Sequence, residues 1–309
     1  MCMALREDRY PKKEREHKYC LLDSTIWNDF RYRNDDIVIS AHSKSGTTWV
    51  QQIVAQLLWN GAEHIRLSRV SPWLDCRFPS KEKRLAIVES QSHRRFIKSH
   101  LPVDTLVFSH KARYIYIGRD GRDVLWSLYN HHRKFKIELI RGIDGVSEGV
   151  GPALREAPTS VLQYFREWLE KDGYPWWPYW EHVHSWWKIR DLPNVMLVHF
   201  SNLKKDMPTE IRRIAGFLDI TIDQAKWDSI LEHCSFDYMK AHAAEVVPFA
   251  GNLWEGGARA FMHKGINGIW EYILTSDDIE QYEHAAAEKL GIECANWLST
   301  GELLEMQDA

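Results

Sequence analysis

A short loop of small and cationic residues is the first place where this sequence could carry out chemistry. Residues 43–48 read SKSGTT. They follow residues 37–39 (IVI), a β-branched run typical of a buried strand, and precede apolar residues at helical spacing (Trp49, Ile53 and Leu57). A loop between a strand and a helix directs backbone N–H groups and the positive end of the helix dipole at one point. The sequence therefore predicts an anion site suited to a phosphate.

The spacing of this loop resembles that of an ATP-binding Walker A loop, but the residue types differ. In the pattern G-x-x-x-x-G-K-[ST], Ala41 would stand at the first Gly and Gly46 at the second. Thr47 then occupies the Lys position, and Thr48 the metal-binding position. The lysine of the loop, Lys44, precedes the turn and would reach a phosphate from a different side. For these residues alone, an ordinary strand–helix turn is an equally good interpretation.

A second group of candidate residues follows another predicted strand. Phe96 and Ile97 suggest the strand, and Pro102 ends the regular structure. Lys98 and His100 are two residues apart, so their side chains share a face of an extended chain. Parallel strands deliver residues to the ligand crevice at their carboxyl ends. We therefore expect His100 to be a candidate base, with a merely structural or exposed histidine as the alternative.

A second strand–loop–helix junction begins at residues 113–117 (RYIYI). Arg119 lies at the entrance of the loop, and Ser127 lies in the following helical pattern, where its hydroxyl could join Arg119 on one anion. The alternative is that Arg119 and Arg122 form surface ion pairs with the neighbouring aspartates. A second junction suited to anions favours the binding interpretation.

Strand and helix patterns alternate along the chain. Residues 194–200 (NVMLVHF) suggest a further buried strand, and residues 201–218 and 277–290 have helical spacing. This alternation predicts a single α/β domain, with a central, mostly parallel sheet flanked by helices, over residues 36–309. The polar, charged residues 1–35 are expected to form an N-terminal arm packed on that domain.

Two segments have weak patterns, and one has an unusual composition. Residues 133–160 suggest a long loop with some helix, and residues 241–262 suggest a loop over a site. Six of the fifteen tryptophans lie within residues 168–187. Packing around a helix explains them best, and a wall of an aromatic substrate pocket is the alternative.

Composition limits the possible partners and compartment. A net charge of −3 over 309 residues argues against broad binding to nucleic acid or to anionic membranes. The five cysteines are scattered and include no C-x-x-C pair, which suggests a reducing compartment and no structural zinc. No signal peptide and no transmembrane segment is recognisable. We expect a cytoplasmic enzyme that uses no metal.

In this order, the segments resemble the cytosolic-type sulfotransferases, and the chain looks like a bacterial member. These enzymes move a sulfuryl group from 3′-phosphoadenosine 5′-phosphosulfate (PAPS) to an acceptor hydroxyl or amine. Residues 44–49 (KSGTTW) resemble the P-loop-like 5′-phosphosulfate loop of the family, and residues 98–102 (KSHLP) resemble its K-[TS]-H-L-P segment. Residues 118–127 (GRDGRDVLWS) resemble its 3′-phosphate segment, and residues 264–270 its K-G-x-x-G-x-W signature. Five weak motifs, counting a turn at residues 235–239, are specific when they occur together in order.

The resemblance implies roles for individual residues. It makes His100 the catalytic base, with Lys44 and Lys98 as catalytic cations, and it places Trp73 and His131 beside a small-molecule acceptor. The residues implied in PAPS binding are Lys44, Ser45, Gly46, Thr47, Thr48, Trp49, Arg119, Ser127, Phe200, Ser235, Phe236, Met239, His263, Lys264 and Gly265.

The sequence departs from the family pattern at three motif positions and over residues 133–160, which do not match closely, so the acceptor pocket is expected to be distinctive. His263 replaces an Arg, so one 3′-phosphate cation becomes weaker or pH-dependent. Phe200 stands where the family often has an adenine-side Tyr. Glu271 reverses the first charge of the family's dimer motif, so both a monomer and a homodimer stay open.

The mechanism that the resemblance implies is in-line displacement at sulfur, with a small, aromatic or apolar acceptor. A P-loop kinase acting on a small metabolite is the alternative enzyme, and it would require Mg²⁺. A nucleotide-binding protein without catalysis is a third possibility, and retention of both Lys44 and His100 weighs against it. A scaffold without a ligand would need no matched cations at separate junctions.

Overall fold

The structure is a computed structural model that describes residues 10–141, 154–262 and 264–304, except for the side chains of residues 140 and 141. Within these ranges, one four-stranded parallel sheet forms the centre of the protein, with strand order β2-β1-β3-β4. The strands are β1 Ile37–Ser40, β2 Phe96–Ser99, β3 Arg113–Gly118 and β4 Val195–His199. The prediction of a single α/β domain with a mostly parallel sheet is confirmed.

Helices cover both faces of the sheet. In chain order, the α-helices of the described residues are α1 Thr47–Leu58, α2 Leu67–Val70, α3 Lys81–Glu89, α4 Gly121–Arg133, α5 Ile137–Arg141, α6 Val161–Glu170, α7 Tyr179–Trp187, α8 Phe200–Lys205, α9 Met207–Phe217, α10 Trp227–His233, α11 Phe236–Ala241, α12 Ala243–Val246, α13 Gly257–Phe261, α14 Ser276–Leu290 and α15 Ile292–Thr300. Short 3₁₀ turns lie at Ser24–Asn28, Val103–Thr105, Gln224–Lys226, Pro248–Gly251 and Ile269–Tyr272.

The sheet separates two hydrophobic clusters because successive strand residues face opposite sides. Ile37 and Ile39 of β1 are fully buried in the cluster that includes α1 and α9. Val38, between them, belongs to the other cluster. There Tyr116 stacks on Trp186, with ring centres 5.4 Å apart. Burial on both faces explains why β1 is a continuous apolar run.

The tryptophan-rich segment is divided between the core and a cavity. Trp168 and Trp186 are fully buried in the core. Trp176 and Trp177 are also buried, but they line the cavity described below. Packing in the core therefore explains Trp168 and Trp186, whereas a substrate-binding role for the two tryptophans that line the cavity stays a prediction.

Residues 10–35 pack against the core. Leu22 and Trp27 have no exposed surface, and Trp27 lies in the turn Ser24–Asn28. The division into an arm and a domain at residue 36 stays a prediction.

Three local predictions differ from the structure. Residues 201–218 form two helices, because Asp206 ends α8 and its side chain caps α9 by accepting the Thr209 N–H. Residues 241–262, expected as a loop, contain α12, α13 and a 3₁₀ turn, each too short to produce a periodic pattern. The helix α15 was not expected.

Candidate active site

A cavity of about 400 Å³ lies beside the loop after β1 and the carboxyl end of β2. It brings together predicted residues from all the separate segments. Those that line it are Lys44, Gly46, Thr47, Thr48, Trp49, Trp73, Lys98, His100, Arg119, Ser127, His131, Phe200, Ser235, Phe236, Met239, Lys264 and Gly265. Ser45 is buried and does not line the cavity, and His263 lies outside the described residues.

The loop after β1 turns sharply enough to present its backbone to the cavity. Gly46 caps α1 with a φ of 115°, in the left-handed region that favours glycine. A Cβ at this position would lie 2.8 Å from Ile117 Cδ1 and 2.9 Å from Phe200 Cδ2. Because α1 is twelve residues long, its dipole adds to the attraction of an anion at the loop.

Lys44 reaches the cavity from this loop. Its Nζ lies 3.9 Å from the centre of the Phe261 ring and 3.4 Å from His131 Nδ1. Burial, with the nearby charges of Lys98 and Arg119, lowers the pKa of Lys44 to about 7. The described residues that line the cavity include no aspartate or glutamate. An anionic ligand would therefore not be repelled by a carboxylate among them.

His100 follows β2 with its ring orientation fixed. His100 Nδ1 lies 2.5 Å from the carbonyl oxygen of Ala41. Because a carbonyl only accepts, Nδ1 carries the proton and Nε2 is the basic nitrogen. Burial and the charge of Lys98 hold the pKa of His100 well below its usual value, so the ring is neutral at pH 7.

Lys98 is held by an extra extended segment beside β2. Its backbone N–H donates to Pro72 O, and its carbonyl accepts the N–H of Leu74. Between those two residues, Trp73 places its ring 4.5 Å from Lys98 Nζ. Burial lowers the pKa of Lys98 to about 8. As the spacing predicts, Lys98 and His100 line the same cavity.

The arginines of the second junction have different environments. Arg122 forms the ion pair with Asp120, at 2.7 Å, although both are buried rather than on the surface. Arg119 instead lines the cavity and donates hydrogen bonds to Asn267 Oδ1, Ile266 O and Lys44 O. It also lies over the Phe200 ring, 4.1 Å from its centre.

Three residues that contribute to the site were not among the predicted site residues. Asp75 is buried, and its Oδ2 accepts the backbone N–H of His100 and the Trp73 indole N–H. Asn267 holds Arg119, and Trp254 donates its indole N–H to His131. The contacts of these three residues are buried or join segments that are distant in the sequence. Neither motif spacing nor hydrophobic periodicity therefore predicts their contribution to the site.

Two further properties concern the described residues only. No group of three or more His, Cys, Asp or Glu side chains among them is arranged to hold a metal ion. Among the same residues, no helix combines the length and the apolar character that crossing a membrane requires.

The fold and the site define an α/β protein with a P-loop-like anion site beside an aromatic cavity. The protein-family model of the sulfotransferase domain matches residues 34–292 of this sequence. The chain therefore belongs to the sulfotransferase family, as its motifs predict.

Relatives named as sulfotransferases match most of the chain. A glycolipid sulfotransferase of Mycobacterium tuberculosis is 29% identical and covers 92% of this chain and 94% of its own length. Mouse sulfotransferase 1B1 is also 29% identical, over 85% of each chain. The class of enzyme, a sulfotransferase, is thereby confirmed.

Solved structures share the fold. Mouse sulfotransferase SULT7A1, complexed with PAP, has a TM-score of 0.69 at 21% identity and covers 89% of this chain and 91% of its own. Retinol dehydratase, in complex with androsterone and the inactive cofactor PAP, has a TM-score of 0.68 at 21% identity. The match covers 87% of this chain and 86% of retinol dehydratase.

Proposed function

We propose that the protein transfers a sulfuryl group from PAPS to a hydroxyl group of a small aromatic or apolar acceptor. The observation that carries the proposal is the fixed tautomer of His100. Its Nε2 is a neutral base at an aromatic cavity, next to two lysines and a phosphate-type loop. PAP, the product of PAPS, is bound in two proteins of similar fold.

The residues of the cavity suit the two phosphates and the base of the donor. The loop amides, the α1 dipole and Lys44 favour the 5′-phosphosulfate. The turn that presents these amides requires glycine at position 46, because a Cβ there would collide with Ile117 and Phe200. Arg119, Ser127 and Lys264 supply donors for the 3′-phosphate. Trp49 and Phe200, whose rings meet edge to face at 5.4 Å, form the adenine side.

The reaction is a single displacement at sulfur. The acceptor oxygen forms the new S–O bond as the bond between sulfur and the phosphate oxygen breaks. The acceptor proton goes to His100 Nε2, and the electron pair of the broken bond stays on the phosphate of PAP. Lys44 and Lys98 stabilise the charge on the leaving phosphate and on the sulfonate oxygens. PAPS supplies the activated sulfuryl group, and we assign no step to a metal.

The lining of the cavity selects among acceptors. Its walls are aromatic, and its described lining includes no carboxylate that could pair with a cationic amine. Burying an unpaired ammonium beside Lys44 and Lys98 is unfavourable. We therefore expect neutral aromatic or apolar alcohols and phenols to react better than amines that are charged at pH 7. Aromatic rings on this part of the wall include Trp73, Phe135 and Trp176.

A screen with radiolabelled PAPS tests the proposal directly. Matched acceptors would share one ring system and carry a phenol, a primary alcohol or an aliphatic amine. We expect transfer to the hydroxyl compounds in the wild type and loss of it in His100→Asn. Transfer to none of them, or transfer to the amine in preference to both hydroxyls, would contradict the proposal.

We also propose a cytoplasmic location. Cys20, Cys76, Cys234 and Cys294 are buried as free thiols, and unpaired thiols are typical of reducing compartments. Fractionation of cells that express the chain, with localisation outside the cytoplasm as the contrary outcome, tests this point.

A further inference from the structure

His131 lies on the same face of α4 as Ser127, one helical turn further on, and both side chains line the cavity. Aromatic rings surround the imidazole. Its ring centre lies 4.9 Å from that of Trp254, 5.3 Å from that of Phe261 and 5.9 Å from that of Phe135. This packing leaves the ring little freedom to turn.

Trp254 determines which nitrogen of His131 carries the proton. The indole Nε1 lies 3.2 Å from His131 Nε2. An indole N–H only donates, so His131 Nε2 must accept, and the neutral ring carries its proton on Nδ1. Burial, followed by the charge of Lys44, holds the pKa of His131 well below its usual value. The ring is therefore neutral at pH 7, with Nδ1–H as its donor.

Nδ1 faces the loop lysine. The distance from His131 Nδ1 to Lys44 Nζ is 3.4 Å. An ammonium cannot accept the Nδ1 proton, so a protonated Lys44 and His131 present two donors to the same small volume. An oxygen atom that Lys44 binds there is within reach of His131 as well. Other charged or titratable groups near the ring are Lys98, His100 and, on its own helix, His132.

We propose that His131 is a further catalytic residue, whose Nδ1–H donates to an oxygen of the transferring sulfuryl group beside Lys44. Trp254 is then a positioning residue that fixes the tautomer. This inference rests on the proposed function. It assigns His131 a contact with the transferring sulfuryl group, whereas the sequence analysis expected His131 to contact the acceptor. A neutral donor stabilises the charge that builds on the sulfonate without adding a third cation next to Lys44 and Lys98.

Two matched substitutions separate this role from packing. His131→Phe keeps a ring and removes the donor, whereas His131→Asn shortens the side chain and keeps an N–H near Nδ1. We expect kcat to fall about ten- to hundredfold in the Phe variant, with a smaller change in acceptor KM, and to recover in part in the Asn variant. A fall in kcat for Trp254→Phe, which leaves His131 free to change tautomer, is also expected.

Binding gives a readout besides activity. Calorimetry without acceptor would compare PAPS with PAP, which lacks the sulfuryl group. We expect His131→Phe to lower the preference for PAPS over PAP. An unchanged preference together with an unchanged kcat would overturn the proposal, as would an effect confined to acceptor KM.

A measurement on the wild type keeps the test independent of how well the variants fold. Nitrogen NMR of the ¹⁵N-histidine-labelled protein reports the tautomer of His131, with His131→Asn to assign the signal. A protonated Nδ1 supports the proposal, and a protonated Nε2 overturns it. Failure of the wild type to bind PAPS would instead overturn the proposed function, and the tautomer would still be readable.

Discussion

His100 Nδ1 lies 2.5 Å from the carbonyl oxygen of Ala41, the residue that follows β1. The contact joins the base after β2 to the start of the anion-binding loop. In this contact, the Nδ1–H of His100 donates to the backbone carbonyl. The unprotonated Nε2 is therefore the nitrogen that can accept a proton. The neighbouring strands β1 and β2 thus hold the base and the phosphate loop in a fixed relation.

Replacement of His100 by Asn should remove the general base while a polar side chain still fills most of the space of the imidazole. The Asn amide can still donate toward Ala41, but it cannot accept a proton in the reaction. We expect kcat to fall about 10²- to 10⁴-fold, the usual contribution of a positioned general base. Steady-state kinetics with PAPS and the best acceptor provide the measurement. Affinity for PAP, measured by calorimetry, should change little, and a parallel loss of PAP affinity would point to a binding role.

Proton uptake should accompany nucleotide binding because of Lys44. The pKa of Lys44 is about 7 in the free protein, and a bound phosphate favours the charged form and raises that pKa. Affinity should therefore be greatest below pH 7 and should fall as the pH rises through 7. Lys98, with a pKa of about 8, should extend the fall to higher pH. Calorimetry with PAP in buffers of different ionisation enthalpy measures the uptake.

Lys44→Arg is the matched control, because a guanidinium stays charged throughout this range. The part of the pH dependence near 7 should disappear in this variant. Titrations from pH 7 upward also avoid the second ionisation of the nucleotide phosphates, near pH 6. An affinity that is independent of pH in the wild type would show that Lys44 does not titrate on binding.

Local pattern was enough to predict the centre of the site. The β-branched run of β1, the small-residue loop and the apolar spacing of α1 are each properties of neighbouring residues. The two-residue spacing of Lys98 and His100 likewise follows from the extended chain. Parallel pairing then brings the carboxyl ends of β1 and β2 to one edge, as the alternation of strands and helices predicts.

The remaining parts of the site depend on contacts between distant segments. Trp254 meets His131 across 123 residues, and Asn267 meets Arg119 across 148. No spacing rule relates these positions. The pairing of Arg122 with Asp120, rather than Arg119 with an aspartate, depends on the direction in which each side chain leaves the start of α4. Sequence alone left that alternative open.

The ion pair of Asp36 with Arg95 should contribute strongly to stability. Their side chains are 1% and 0% exposed, and the guanidinium binds both carboxylate oxygens, at 2.8 and 2.5 Å. Asp36→Ala leaves a buried cation without this partner, which costs roughly 3–5 kcal/mol. We expect a much lower urea midpoint. Glu89→Ala removes the other carboxylate on Arg95, which is 47% exposed, and should cost at most about 1 kcal/mol. Similar losses in both variants would contradict this assignment.

Turnover should survive removal of divalent metals. The loop carries Thr47 where a metal-dependent nucleotide kinase carries its lysine, and the sulfuryl group of PAPS has one charge fewer than a transferred phosphoryl group. We expect the same transfer rate from PAPS before and after dialysis against EDTA. Full loss on chelation, restored by Mg²⁺ and accompanied by phosphoryl transfer from ATP, would favour the kinase alternative.

Arg119→Ala should weaken binding of PAP far more than binding of 5′-AMP, which lacks the 3′-phosphate. A charge-assisted contact contributes roughly 1.5–3 kcal/mol, or about ten- to hundredfold in affinity. The substitution also removes hydrogen bonds to Asn267, Ile266 and Lys44, and that loss should affect both nucleotides alike. The ratio of the two affinities therefore isolates the 3′-phosphate contact. Asn267→Ala is the matched control, since it releases the guanidinium from the loop and keeps the cation. We expect a much smaller fall in the ratio in that variant than in Arg119→Ala, and equal losses for both nucleotides in Arg119→Ala would place Arg119 away from the 3′-phosphate.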